Sequence, residues 1–213
     1  MPASVTHRPV DLRTGEGLHA ALDGADVVVH CASGFKGDEV AGERLVAAAR
    51  TAGVAHLLYI SIVGIDRIPM GYYRAKLAVE RQVEASGVPW TILRATQFHD
   101  LIVTMCRAQR WSPLLVTPSV RFQPIEVTEV AARMAELAGA PPAGRVDEMG
   151  GPEVRQGRDL ARAYLGATGK RRAVVPLRLP GRAFAQLRSG ANLAPEHAVG
   201  VRTFEEYLAA RAR

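Results

Sequence analysis

Five consecutive segments, ADVVVHCA, EVAGERLVAAARTAG, HLLYISIVG, a stretch from about Gly71 to Ser86, and WTILRA, alternate between short apolar runs and longer runs with helical spacing. Apolar runs of this length, bounded by glycine and serine, fit strands buried on both faces, as in a parallel sheet. In the segment from Asp38, the residues Val40, Leu45, Val46 and Ala49 fall on one stripe, and Gly53 closes it as a C-cap would. Strand, helix, strand, helix, strand with short turns predicts an α/β fold with a parallel sheet and helices on both faces. The 213 residues suffice for one domain with its own core, so residues 1–213 are expected to form a single unit.

Beyond WTILRA, QFHDLIVTMCRAQR reads as a helix, RFQPIEV as extended, and Thr128 as the N-cap of VTEVAARMAELAG. Extended GRVDEMGG, helical RQGRDLARAYLGATG, extended RRAVVPLRLP and helical FEEYLAARAR complete the chain. The loops around Pro176 to Pro195 are suited to cover a substrate.

No stretch approaches the roughly 20 apolar residues that span a bilayer, and the start MPASVTHRPVD has no apolar signal core, which predicts a soluble, cytoplasmic protein without a membrane partner. The net charge of +6 comes from 27 basic residues scattered along the chain, with one dense run at Lys170, Arg171 and Arg172. Nucleic-acid binders gather charge on one face among aromatics that stack on bases; here aromatics are only 6% of residues, so no nucleic-acid partner is expected. Cys31 and Cys106 have neither CxxC spacing nor a histidine set beside them, so no metal is expected and both read as small buried hydrophobes.

In GYYRAK, Tyr72 and Lys76 stand four residues apart, on one face of a helix. A lysine there lowers the pKa of a neighbouring phenol and can hold a ribose hydroxyl, and a phenol so placed passes a proton to or from a carbonyl. The same spacing fits a helix with a half-buried aromatic and a solvated lysine. His99 and Asp100, after QF, stand where the substrate side of such a sheet would be; a site role for His99 rests on position, and adjacent helical residues diverge too far to pair directly. His30, inside an apolar run, reads as a core histidine.

The series DLRTGEGLHAALDGADVVVHCAS, LLYISIVGID and PMGYYRAKLAVERQVEASGVPWTILRATQF, followed by QPIEVTEVA and GGPEV, resembles the atypical short-chain dehydrogenases/reductases of the NmrA-like type. The resemblance implies a Rossmann-like sheet that binds NAD or NADP, with residues 111–213 as a small substrate-side subregion. It implies the adenine end near Asp11 and Leu12, and Cys31, Ala32 and Ser33 along the cofactor. Ser61 would lie beside the nicotinamide, Lys76 on the ribose, and Ala95 and Thr96 on the nicotinamide side. Tyr72 rather than Tyr73 would donate the proton to a small carbonyl or quinone, with Ser61 and Lys76 completing the catalytic set. A non-catalytic, redox-sensing dinucleotide-binding protein and a cofactor-less remnant are the alternatives.

The chain departs from that family at its start, which corresponds to the third strand, so the first strand, the glycine-rich turn with its helix, and the second strand are missing. The match Gly15, Gly17 and Ala20 to G-x-G-x-x-A has no buried strand ahead of it and reads as a solvent-facing helix start. The expectations are weak or absent cofactor binding by this chain, a true start upstream of Met1, and an unpaired strand edge along Val27–Cys31 open to self-association. The strand-end motif SIV lacks the second hydroxyl that many catalytic members carry, which leaves Ser61 alone there.

Overall fold

The computed structural model describes residues 5–34 and 37–211. Its centre is a parallel four-stranded sheet of β1 (Val27–His30), β2 (His56–Ile62), β3 (Trp90–Ala95) and β6 (Gly144–Arg145), in the order β1-β2-β3-β6. In register, His30 stands opposite Tyr59, and Ser61 opposite Arg94. Side chains alternate faces along a strand, and β2 shows the result on both sides. Leu57 and Tyr59 join a core with Leu45 and Ala48 of α2 (Asp38–Thr51) and with Val79 and Val83 of α3 (Gly71–Glu84). Leu58 faces the other way, toward Val130, Met134 and Leu137 of α5 (Val127–Ala138). Helices therefore cover both faces, as the alternation of segments predicts.

Helix α2 begins after Gly37, carries Asp38 and Glu39 in its first turn and Arg50 in its last, and so matches its charges to the helix dipole. It packs closely on α3 through Gly42, where a Cβ would lie 2.4 Å from Gln82 Oε1. Helix α3 is tied to β3 by a buried ion pair: Arg94 donates from Nε and Nη2 to the two Glu80 oxygens at 2.9 and 2.8 Å, and Glu80 is fully buried. Arg145 adds a third contact to Glu80, at 3.3 Å.

A second core gathers Ile102, Val103 and Cys106 of α4 (His99–Ala108), Leu115 of β4 (Leu114–Pro118), Leu160 and Tyr164 of α6 (Gly157–Ala167), and Phe204 and Tyr207 of α8 (Phe204–Arg211). Two small sheets flank it: β4 pairs in parallel with β8 (Ala173–Leu177), and β5 (Arg121–Phe122) pairs antiparallel with β7 (Arg155–Gln156).

Several expectations are corrected. Residues 9–12 form no strand: Asp11 makes one isolated bridge with Glu16, and its carboxylate accepts from the backbone N–H of Arg13 and Thr14. Pro9 has no N–H to give to a ladder, and the aspartate side chain competes for the backbone locally. The solvent-facing helix start expected at Gly15 and Gly17 is present, with exposed Gly17 as the N-cap of α1 (Leu18–Leu22); at Gly17 (φ 73°) a Cβ would lie 2.5 Å from the Pro9 carbonyl oxygen, so glycine there serves the turn. The N-cap of α5 is Glu126, which accepts from Thr128 N–H, rather than Thr128. The segment between Pro176 and Pro195 contains α7 (Arg182–Ser189), and Cys31 is exposed while Cys106 is buried.

Among the described residues β1 has a strand partner on one side only, and Val27 and Val29 remain 38% and 44% exposed. The open edge expected at Val27–Cys31 is present there. Among the described residues no helix is long and apolar enough to cross a membrane.

Candidate active site

The carboxyl ends of parallel strands are where ligands meet an open α/β sheet. At this end β1 runs into Cys31, Ala32 and Ser33, β2 ends at Ser61 and Ile62, and α3 begins its first turn with Gly71 and Tyr72. Tyr72 is 41% exposed, and Lys76, one turn on, is only 4% exposed. Lys76 lies under the surface with Nζ 4.8 Å from the centroid of the Tyr59 ring, a cation–π contact. Burial lowers its pKa below the usual lysine range, against the opposing charges of Asp38, Cys31 and Glu80.

Tyr59 is buried to 1% and stacks on His30, its cross-strand neighbour, with ring centroids 5.1 Å apart. Burial, then the charges of Glu80, Asp38 and Tyr72, push the Tyr59 phenol far above the usual tyrosine range, so it stays protonated. Burial first and the Lys76 charge second bring His30 down to about 4, so the ring is neutral at pH 7. The two rings form an uncharged floor beneath Lys76. Tyr73 points into the core, and burial raises its phenol to about 12.

Tyr72 Oη is 3.0 Å from Ser33 Oγ, and Ser33 in turn donates to Asp38 Oδ2 at 2.7 Å. Asp38 Oδ1 accepts from Gly34 N–H, also at 2.7 Å. Asp11, Leu12, Ala32, Ser33, His30 and Tyr59 share a cavity of about 310 Å³ with Asp38. Cys31 faces a neighbouring groove of about 570 Å³ that follows the free edge of β1.

The other expected residues sit deeper. Ser61 is 3% exposed, and its Oγ has no partner among the described residues. Ala95 and Thr96 are buried at the end of β3, with Thr96 Oγ1 donating to the Gln123 carbonyl at 2.5 Å. The buried segment 191–194 lies against these strand ends: Gln97 donates to Asn192 O at 3.0 Å and Arg67 to Ala191 O at 2.9 Å. At Gly64 (φ 74°) a Cβ would stand 1.9 Å from that Ala191 oxygen, so the close approach requires glycine. His99 is 1% exposed; it packs against Phe204 and Tyr207, its Nε2 is 3.1 Å from the Arg202 carbonyl, and burial lowers its pKa. Asp100 does not pair with it but accepts from Tyr207 Oη at 2.7 Å.

The structure thus joins Ser33 to Tyr72 and places Lys76 beside Tyr59 rather than in a hydrogen bond with Tyr72. Sequence reasoning missed Asp38 and Tyr59. Asp38 carried a signal, an acid as first helical residue after a strand and a Ser-Gly turn. Tyr59 carried none beyond its place in an apolar strand. Among the described residues no group of three His, Cys, Asp or Glu side chains could hold a metal ion.

Residues 2–139 match the sequence profile of a family described as NAD(P)H-binding. A (4-alkanoyl-5-oxo-2,5-dihydrofuran-3-yl)methyl phosphate reductase from Streptomyces griseus is 30% identical over 155 residues, 67% of this chain and 51% of that protein. The chain therefore spans about half the length of the curated relative it matches. In solved structures the fold is similar to an Escherichia coli NADPH-dependent quinone oxidoreductase complexed with NADPH, at TM-score 0.83 and 18% identity over 98% of this chain and 84% of that one. It is also similar to a Citrobacter sp. triphenylmethane reductase complexed with NADP(H), at TM-score 0.75 and 18% identity over 97% and 83%.

Proposed function

Because the chain belongs to the NAD(P)H-binding family, we propose that it is an oxidoreductase that transfers hydride between a nicotinamide dinucleotide and a small carbonyl or quinone, with Tyr72 as the proton donor. The observation that carries this reading is the exposed Tyr72 phenol at the carboxyl end of the sheet, with buried Lys76 one turn behind it. The reductase name of the Streptomyces griseus relative and the quinone oxidoreductase name of the structural neighbour agree with it.

The residues fit the two ends of such a cofactor. The cavity of about 310 Å³ beside Asp11 and Leu12 suits a nucleoside. Ser61 Oγ, buried and without a partner among the described residues, suits the nicotinamide side, because a buried hydroxyl left unpaired is costly. The middle fits less well. Helix α1 is five residues long, and α2 presents Asp38 and Glu39 in its first turn, where a pyrophosphate would meet negative charge.

When bound, the reduced nicotinamide supplies the hydride. Tyr72 gives its phenolic proton to the substrate oxygen as negative charge develops there, and the Lys76 ammonium favours the phenolate left behind. Ser61 orients the reacting groups, and the segment 191–194 shields the strand ends from water.

The place of Lys76, against the Tyr59 ring rather than in a hydrogen bond with Tyr72, favours the second reading, a protein that holds a dinucleotide without turnover. Titration of NADPH and NADH by fluorescence, followed by NADPH oxidation with menadione, separates the two. Saturable binding with turnover is expected; binding without turnover on any quinone or aldehyde tested would establish the second reading, and no binding would defeat both.

A further inference from the structure

The hydrogen bonds of Tyr72 lead away from Lys76, toward Asp38. A serine hydroxyl has one hydrogen to donate, and that of Ser33 goes to Asp38 Oδ2 at 2.7 Å. Across the 3.0 Å separation from Ser33 Oγ, Tyr72 must therefore be the donor. The direction is fixed: Tyr72 to Ser33 to Asp38. Both ends of the chain are held. Tyr72 is fixed in the first turn of α3, and Asp38 is the first residue of α2, with its second oxygen accepting from Gly34 N–H at 2.7 Å. The Asp38 side chain also lines the cavity of about 310 Å³ and is only partly buried, so it meets solvent. An aspartate used only to cap its own turn would not need a serine that reaches another helix 39 residues away.

We propose that Ser33 and Asp38 are positioning residues that complete a proton path between Tyr72 and bulk water. The inference rests on the reductase reading above. As Tyr72 Oη–H breaks and the proton bonds to the substrate oxygen, the Ser33 proton bonds to Tyr72 Oη. For this to happen Asp38 Oδ2, a carboxylate at rest, first takes a proton from solvent hydronium and then gives it to Ser33 Oγ as the Ser33 proton leaves, which returns Asp38 to the carboxylate. Each step breaks one O–H bond and forms another. The net change is one proton from solvent delivered to the substrate, while the hydride comes from the reduced nicotinamide dinucleotide. In the oxidative direction the same bonds exchange in reverse, which is the direction of donation seen in the free protein.

The path has a consequence that needs no cofactor. N-acetylimidazole acetylates accessible tyrosine hydroxyls, and Tyr72 is accessible. The tryptic peptide from Ile68 to Arg74 also contains the partly buried Tyr73 as an internal reference. Acetylation of Tyr72, read by mass spectrometry, should be about fivefold faster in Ser33→Ala and in Asp38→Asn, the population change of one hydrogen bond. Ser33→Thr should return to the wild-type rate. In parallel, NADPH oxidation with menadione should fall about tenfold or more in Asp38→Ala, and added formate should restore part of it by supplying a carboxylate.

Equal acetylation in all four proteins would overturn the path. Faster acetylation with unchanged turnover in Asp38→Ala would also overturn it, leaving a contact that only holds Tyr72 in place. A wild-type protein that shows the acetylation pattern but oxidises no NADPH would overturn the reductase reading, and the path with it, while keeping the Tyr72, Ser33 and Asp38 contacts.

Discussion

Among the helices that leave the carboxyl end of the sheet, α3 after β2 and α4 after β3 each carry an expected site residue in the first turn. Tyr72 on α3 is 41% exposed and hydrogen-bonded to a polar chain; His99 on α4 is 1% exposed and stacked on Tyr207 at 4.9 Å. The difference lies in what covers them. Helix α8 lays Phe204 and Tyr207 over the start of α4, whereas at the start of α3 the described residues leave the phenol open. A position at a strand end makes a residue a candidate, and the packing above it decides whether it can reach a ligand.

The largest expected effect comes from cutting what holds the open helix in place. Arg94→Leu leaves Glu80 buried with only the weaker Arg145 contact. It should cost about 3–5 kcal/mol, because the buried carboxylate loses its two-bond partner and keeps only a part-exposed one. The double variant Glu80→Gln, Arg94→Met should recover much of that loss in urea unfolding. A single variant that loses under 1 kcal/mol would mean that α3 is held by apolar packing alone.

Next comes pH. His30, in the floor beneath Lys76, is held by burial at about 4 in the folded state, against an ordinary 6.5 when unfolded. Between those values the unfolded chain binds more protons, so stability is complete above pH 6.5 and is lost as pH falls toward 4, by up to about 3 kcal/mol. Urea midpoints measured across this range should fall with pH, and His30→Gln should flatten the slope. An unchanged slope in that variant would assign the effect to His56 and His99, which burial also lowers.

A smaller effect is expected at the sealed helix. His99→Ala removes the stacking against Tyr207 and the contact with the Arg202 carbonyl, and should cost about 1–3 kcal/mol. Turnover per folded molecule should be kept. A hundredfold loss of turnover with intact stability would reopen a substrate role for His99.

The segments with a clear period were legible in the sequence. WTILRA coincides with β3, Trp90–Ala95, and the helix expected from Asp38 is α2. What escaped was short or decided by tertiary contact. Helix α7 is only eight residues long, and its apolar face of Ala183, Phe184 and Leu187 spans too few turns to stand out in a segment bounded by prolines. Glu126 caps α5 although glutamate lies outside the usual capping set, because the chain turns there in extended conformation with its side chain folded back to Thr128. Tyr72 and Lys76 were visible as a spacing. Asp38 belongs with Tyr72 only because parallel strands bring the end of β1 beside the start of α3, and His30 meets Tyr59 only through strand register.

Turnover in Tyr72→Phe tests the central claim most directly. NADPH oxidation with menadione at saturating NADPH, alongside the fluorescence titration, should show a loss of a hundredfold or more with NADPH affinity unchanged, since only the proton-donating hydroxyl is gone. Turnover within threefold of wild type would contradict the claim and return the Tyr72 phenol to the surface of a binding protein.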